Sequence, residues 1–288
     1  MTDAALGAAL GLFSALTLAA ANLSVKMGVD VLVGRAVLSA SAAVLVSPAL
    51  LFAAPPDAAT WGALAVAMPA HFAYQLCLVR AMGRGELSLV FPVMRGAAPL
   101  LTAVAAAALL GEGLHPLGWA GLVAATGALL VFAWPPEATG LRAHPDRAGL
   151  GWALATAVGV ALYNTADARG VRVAPEPLTY IVWLFLLDAV PITVLAVATR
   201  RRALRAALEA RWRYGVAAGG LSVLSFGSAL YAFSLLAVAK VSALRETSVV
   251  WAALLGGRVL GEAMGRRRVA AAALLAGGLV LMQFAPAS

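Results

Sequence analysis

An all-α polytopic membrane protein, with ten transmembrane helices arranged as two inverted five-helix repeats, is the fold class that this sequence predicts. Three observations carry the expectation. The chain of 288 residues is 62% hydrophobic and only 12% charged, with a mean hydropathy of +0.91, a balance foreign to soluble domains. Its apolar stretches are long enough to cross a bilayer, since ~20 residues at ~1.5 Å each span the ~30 Å hydrocarbon core. Finally, the segment Gly85–Glu112 has a diverged copy in Val241–Glu262. A shift of 150 residues carries Arg95 onto Arg245, Gly111-Glu112 onto Gly261-Glu262 and Gly127 onto Gly277, as expected of an internal duplication.

The apolar pattern predicts helices over 4–25, 32–53, 59–81, 87–110 and 116–134, and a second set over 149–168, 178–199, 213–236, 240–261 and 268–284. The first stretch lacks a basic leader and reads as a retained helix rather than a cleaved signal. The connections carry helix breakers or charge: Pro55-Pro56-Asp57, Gly83-Arg84-Gly85, Pro175-Glu176-Pro177, the arginine run 200–213, and Arg266 to Arg268. The polar stretch from Pro135 to Arg147 is the expected joint, giving repeats over 1–138 and 139–288. An odd number of helices per repeat makes the second copy enter from the opposite side.

The net charge of +8 comes from basic residues lying between apolar spans, which points to membrane topology and not to nucleic acid. Lys26, Arg80, Arg84, Arg142, Arg147, the 200–213 run and Arg266–Arg268 fall on one side. Only Arg169, Arg172 and Lys240 fall on the other, with both termini. The positive-inside rule makes the first side cytoplasmic, with the termini outside. A single Cys77 and the scattered His71, His115 and His144 argue against a disulfide or a metal site. No cofactor is expected.

Charge inside a bilayer costs ~2.5–3.5 kcal/mol per residue on insertion scales, so intramembrane ionisable groups are candidates for function. Arg95 has Pro92 and Pro99 on its own helix face, and Pro99, lacking an N–H, leaves the Arg95 carbonyl without its helical donor. Arg245 and Glu246 lie at the equivalent depth of the second repeat. Two arginines converging on one cavity suit a carboxylate or phosphonate, which a guanidinium binds through two parallel N–H groups; alternatively each pairs with an acid and fixes packing. Asp188, mid-span in the seventh helix, is a candidate proton carrier, as are Glu246 and Asp167, and an ion pair of Asp188 with Arg35 or Arg245 is the competing reading. Arg35, near a helix start, snorkels to the interface in this view. His71, Tyr74 and Gln75 share one face of the third helix by their i, i+3, i+4 spacing. With Asn22, Tyr163, Asn164 and Tyr231 they make a polar lining for a substrate cavity. The uncharged helices 116–134 and 268–284 are rich in small residues, including Gly121 and Gly278, and offer scaffold packing or a homodimer contact. Prolines in the fourth helix and their absence from the ninth predict a kinked helix facing a straighter one.

The paired GELSLVFPVMRGAAPLL…LLGE and KVSALRETSVVWAALLGGRVLGE segments, with NLSVK at Asn22–Lys26 and ALYNTADARGVR at Ala161–Arg172, resemble the drug/metabolite transporter superfamily, most closely its bacterial ten-helix EamA-type members. The resemblance covers nearly the whole chain. It implies a secondary transporter, often an exporter of amino acids or other small metabolites, with a cavity between the halves. It also favours a functional Asp167. Leu18 and Ala21 stand where many relatives carry His and Trp, and Val249 stands where a proline is usual, so no particular substrate carries over. No GxxxxGK[ST] is present, which excludes an ATP-driven pump in this chain. Two other classes compete: an intramembrane hydrolase using Ser222 after Gly220-Leu221, for which no histidine follows His144, and a channel, which needs a continuous lined pore.

Overall fold

A computed structural model describes residues 2–25, 30–84, 87–133, 147–251, 254 and 266–285. Lys26, most of the Pro135–Arg147 joint, Gly261-Glu262 and the Asn22 side chain lie outside the described residues. The described chain is helical throughout: α1 Asp3–Val25, α2 Val31–Val46, α3 Ala58–Arg84, α4 Leu87–Leu110, α5 Pro116–Ala133, α6 Arg147–Val173, α7 Pro177–Leu235, α8 Val238–Glu246 and α9 Arg266–Phe284. A 3₁₀ turn, Ser47–Leu51, extends α2 through Pro48. Among the described residues, six helical stretches are long and apolar enough to cross a membrane, and large apolar side chains such as Leu51, Phe52, Val66 and Val194 stand exposed.

Local chemistry explains the ends. Asp30 caps α2, accepting from the Leu32 and Val33 amides at 2.9 and 3.3 Å. Asp57 caps α3 in the same way, accepting from the Thr60 hydroxyl at 2.6 Å and amide at 2.8 Å. Those two bonds, the hydroxyl first, hold its carboxyl below the usual carboxylate range. A depressed folded-state pKa contributes stability that is present at neutral pH and lost as pH falls through it. Gly111, with φ 71°, ends α4 in the left-handed conformation that glycine adopts without a Cβ clash.

Two sequence expectations change. The arginine run 200–213 is helical rather than a loop, because RRALRAALEA is built from strong helix formers and Arg205 pairs with Glu209 one turn on at 2.7 Å. The path nevertheless reverses within it. Phe185 and Phe226 have ring centroids 6.1 Å apart, whereas a straight helix would hold them roughly 60 Å apart. α7 is thus two antiparallel arms, Pro177–Ala210 and Trp212–Leu235; counting them separately, the described residues hold ten helical segments. The second change concerns the ninth expected helix. α4 stays helical across both prolines, while α8 stops at Glu246 and Thr247 turns. The Thr247 hydroxyl and amide both take the Leu244 carbonyl, at 2.7 and 3.1 Å, a single tight turn after which residues 248–251 are helical again.

α3 lies along α6, α1 along the second arm of α7, and α2 along both arms of α7. The first contact is close: a Cβ on Gly159 would sit 3.0 Å from the Tyr74 backbone. α5 and α9 form a separate seam. A Cβ on Gly121 would lie 2.5 Å from the Gly278 carbonyl oxygen, and one on Gly278 2.6 Å from that of Gly121, so the backbones touch as small residues permit. This face, offered by the sequence as a dimer contact, is used within the chain. Gly127 and Gly277, by contrast, have open space beside them. Gly278→Leu is expected to separate the seam, at ~1–3 kcal/mol for overpacking, seen as a lower Tm in detergent; Gly277→Leu leaves Tm unchanged.

Candidate functional site

The interior polar groups gather in two clusters joined by aromatic rings. The first is acidic. Asp167 of α6 is wholly buried; its Oδ2 accepts from the His71 Nε2–H at 2.9 Å and its Oδ1 from the Tyr180 hydroxyl at 3.0 Å. The other ring nitrogen, His71 Nδ1, lies 3.6 Å from Asp188 Oδ1. Asp188 in turn accepts from Gln75 Nε2 at 2.8 Å and from the Ser39 hydroxyl at 3.5 Å. The helical spacing of His71 and Gln75 on α3 is what lets both reach the acids of α6 and α7. A carboxylate at each ring nitrogen suits an imidazolium, which donates from both.

The rings form a wall beside this cluster. His71 stacks on Tyr163 at 4.5 Å. Tyr163 meets Tyr74 edge-on at 5.0 Å and Phe226 at 5.8 Å. Both ends of the wall meet arginine faces: Arg35 lies 5.9 Å from the Tyr74 centroid and Arg245 lies 5.2 Å from that of Phe226.

The second cluster is basic. Arg95 Nε stands 3.2 Å from Glu246 Oε2, and its Nη2 donates to the Ser248 hydroxyl at 2.7 Å. Arg245 Nε donates to the Ser14 hydroxyl at 3.1 Å, whose oxygen lies 3.4 Å from that of Ser225. Among the described residues no carboxylate lies within ion-pair distance of Arg245. Depth alone does not separate the two arginines; their partners do.

A third group stands at the helix ends. Arg172 of α6 pairs with Glu112, beyond α4, and donates to the Phe233 and Leu236 carbonyls at 2.8 and 3.0 Å. Glu112 Oε2 also accepts from the Val238 amide, the start of α8, at 2.8 Å, where a carboxylate complements the helix dipole. The Gly-Glu and DARGVR stretches thereby tie α4, α6, α7 and α8 together.

Of the residues singled out from sequence, the fold brings together His71, Tyr74, Gln75, Tyr163, Asp167 and Asp188, and separately Arg95, Arg245 and Glu246. Asn164 is buried but faces α4, donating to Thr102 at 3.5 Å. Tyr231 is exposed at 41% and stands apart from both clusters. Trp183 meets Trp61 edge-on at 5.1 Å. Sequence reading missed Tyr180, Phe226, Ser14, Ser39 and Ser248, and took Arg35 as structural. A buried Tyr or Phe in an apolar run carries no signal of its own. Ser14 and Ser39, mid-helix in apolar spans, were the legible hint.

An all-helical bundle with six stretches long and apolar enough to cross a membrane among the described residues defines the class as a multi-pass membrane protein. Residues 147–284, the second half of the chain, match the EamA-like transporter family. A solved structure described as "Crystal structure of protein" matches with a TM-score of 0.74 at 20% identity, covering 98% of this chain and 97% of that one, which shows the fold. No curated protein matches the chain.

Proposed function

We propose that the chain is a proton-coupled secondary transporter, exporting a small polar metabolite with an anionic group, such as an amino acid or organic anion, by alternating access. The observation that carries this reading is Arg245. It is a cation within an apolar bundle whose described partners are a hydroxyl and a ring, leaving its guanidinium fork for a ligand carboxylate. Arg95 and Glu246 stand beside it, and Tyr74, Tyr163, Gln75 and His71 line the approach. Asp167, His71 and Asp188 supply a titratable chain for coupling. Direction rests on the family resemblance.

The halves that rock in this mechanism are 1–138 and 139–288, related as an inverted repeat. The exchange of partners supports it: α3 packs on α6 as α1 packs on the second arm of α7. The arginine-rich ends face the cytoplasm and the termini the outside; tags on both termini are expected to be accessible from outside intact cells.

A thermal-shift screen of amino acids, organic acids, phosphonates and organic cations against the purified protein tests the substrate class. A ligand at a hundredfold its Kd stabilises the native state by ~2.7 kcal/mol. Anionic or zwitterionic compounds are expected to raise Tm in the wild type and not in Arg245→Ala. Stabilisation by cations alone overturns the reading.

A further inference from the structure

Arg95 and Glu246 touch without satisfying each other. Arg95 Nε and Glu246 Oε2 are 3.2 Å apart, yet both atoms are buried and neither makes a hydrogen bond; the approach is close but misaligned. Glu246 is only 5% exposed. Behind it lies a small cavity lined by Pro99 of α4, Thr126 of α5, Leu275 of α9 and Glu246 itself, with ≈ 10 Å³ free for the centre of a water molecule, the scale of a single water. Thr126, 6% exposed, has an Oγ1 that is also buried without a hydrogen bond. Pro99 adds a further acceptor, because the Arg95 carbonyl has no helical donor where residue 99 has no N–H. One misaligned carboxylate therefore stands at the mouth of a cavity holding an unused hydroxyl. The Thr126 hydroxyl can accept from a protonated carboxyl there as readily as it can donate.

We propose that Glu246 is a tethered counter-anion of Arg95, displaced when an anionic ligand takes the guanidinium, and that it then accepts one proton from hydronium and turns into this cavity. The carboxylate and hydronium become a carboxylic acid and water, and the acid O–H donates to Thr126 Oγ1. Arg95 exchanges one monoanionic partner for another, and each ligand anion brings one proton with it. The charged groups facing Glu246 are Arg95 from α4 and Arg245 on its own helix. α5 brings Thr126 and α9 brings Leu275, while Ser14 of α1, Tyr163 of α6 and Phe226 of α7 face Arg245 rather than Glu246. The inference rests on the anion-transport reading above, and deepens it by naming the proton acceptor at the arginine.

Infrared spectroscopy of the purified protein tests it without a known substrate. Arg95→Gln stands in for an arginine already neutralised by a ligand. At neutral pH it is expected to gain a protonated-carboxyl C=O band that the wild type and Arg95→Lys lack. The band disappears in Arg95→Gln/Glu246→Gln and shifts in Arg95→Gln/Thr126→Val. Far-UV circular dichroism verifies that each variant is folded. Should Arg95→Gln not fold, wild type titrated with succinate and with inorganic phosphate replaces it, the same band growing with occupancy and absent in Glu246→Gln. A folded Arg95→Gln without the band, no band in the anion-loaded wild type, or a band indifferent to Thr126 overturns the proposal. If the band behaves as expected but no anion is transported, the transport reading fails and Glu246 stands as a proton site; transport of an anion without the band has the opposite meaning.

Discussion

Asp167→Asn is expected to abolish coupled transport and to lower stability more than any other single change in the interior. Asp167 is wholly buried and accepts from two donors, His71 and Tyr180, at 2.9 and 3.0 Å. An asparagine has one oxygen to offer, and its NH₂ must face one of those donors. Removing one partner from a buried charged pair costs ~3–5 kcal/mol, most of it from stranding the other. Asp188→Asn is expected to do less, because its side chain is 18% exposed and Gln75 and Ser39 can donate to the remaining oxygen. The measurement is Tm in detergent together with uptake into proteoliposomes with and without a pH gradient. Wild-type transport and Tm in Asp167→Asn would remove the coupling role given to this cluster.

Arg245→Ala is expected to reduce ligand binding by roughly 10–150-fold, the equivalent of the ~1.5–3 kcal/mol of a hydrogen bond to a charged group. Its hydrogen-bond and ring partners are the neutral Ser14 and Phe226, and Glu246 beside it keeps Arg95, so the loss falls on binding while folding is spared. Arg245→Lys keeps the charge without the planar fork and is expected to lie between. Arg95→Ala is expected to lose transport too, but with a lower Tm, because Glu246 is left buried without its partner. Titration of the best compound from the thermal screen, read as Kd and Tm for each variant, separates these outcomes. Unchanged affinity in Arg245→Ala contradicts the anion site.

Much of the architecture was legible because the bilayer restricts it. A segment facing hydrocarbon must satisfy its backbone internally, so composition and length suffice to place helices such as α4 and α5. The two exceptions have local causes. The arginine run looked like a loop because charge outside a membrane and helix breakers are easily equated, although Ala, Leu and Arg are good helix formers. The turn at Thr247 was hidden because a threonine in an apolar helical run looks, in sequence, like any other threonine.

The interior chemistry was legible where helical spacing and charge coincide. His71 and Gln75 lie one turn apart and face the two acids, and Asp167, Asp188, Arg95, Arg245 and Glu246 stood out by charge alone. What sequence could not supply was the partnering across helices: that His71 has an aspartate at each nitrogen, that Arg95 rather than Arg245 takes Glu246, and that Arg35 reaches Tyr74 instead of the interface. Those pairings depend on the crossing of α3 with α6 at Gly159 and on the return of the second arm of α7. Neither has a periodic signature. The same holds for Tyr231, equivalent in type to Tyr163 but on the outer side of its arm.

The central claim is that one interior site, holding Arg245, opens alternately to the two sides. Counterflow in proteoliposomes measures this most directly. With unlabelled anionic metabolite trapped inside, labelled metabolite outside should accumulate transiently, in the wild type and not in Arg245→Ala. Uptake that equilibrates without trans-stimulation, or counterflow that persists in Arg245→Ala, would contradict the account.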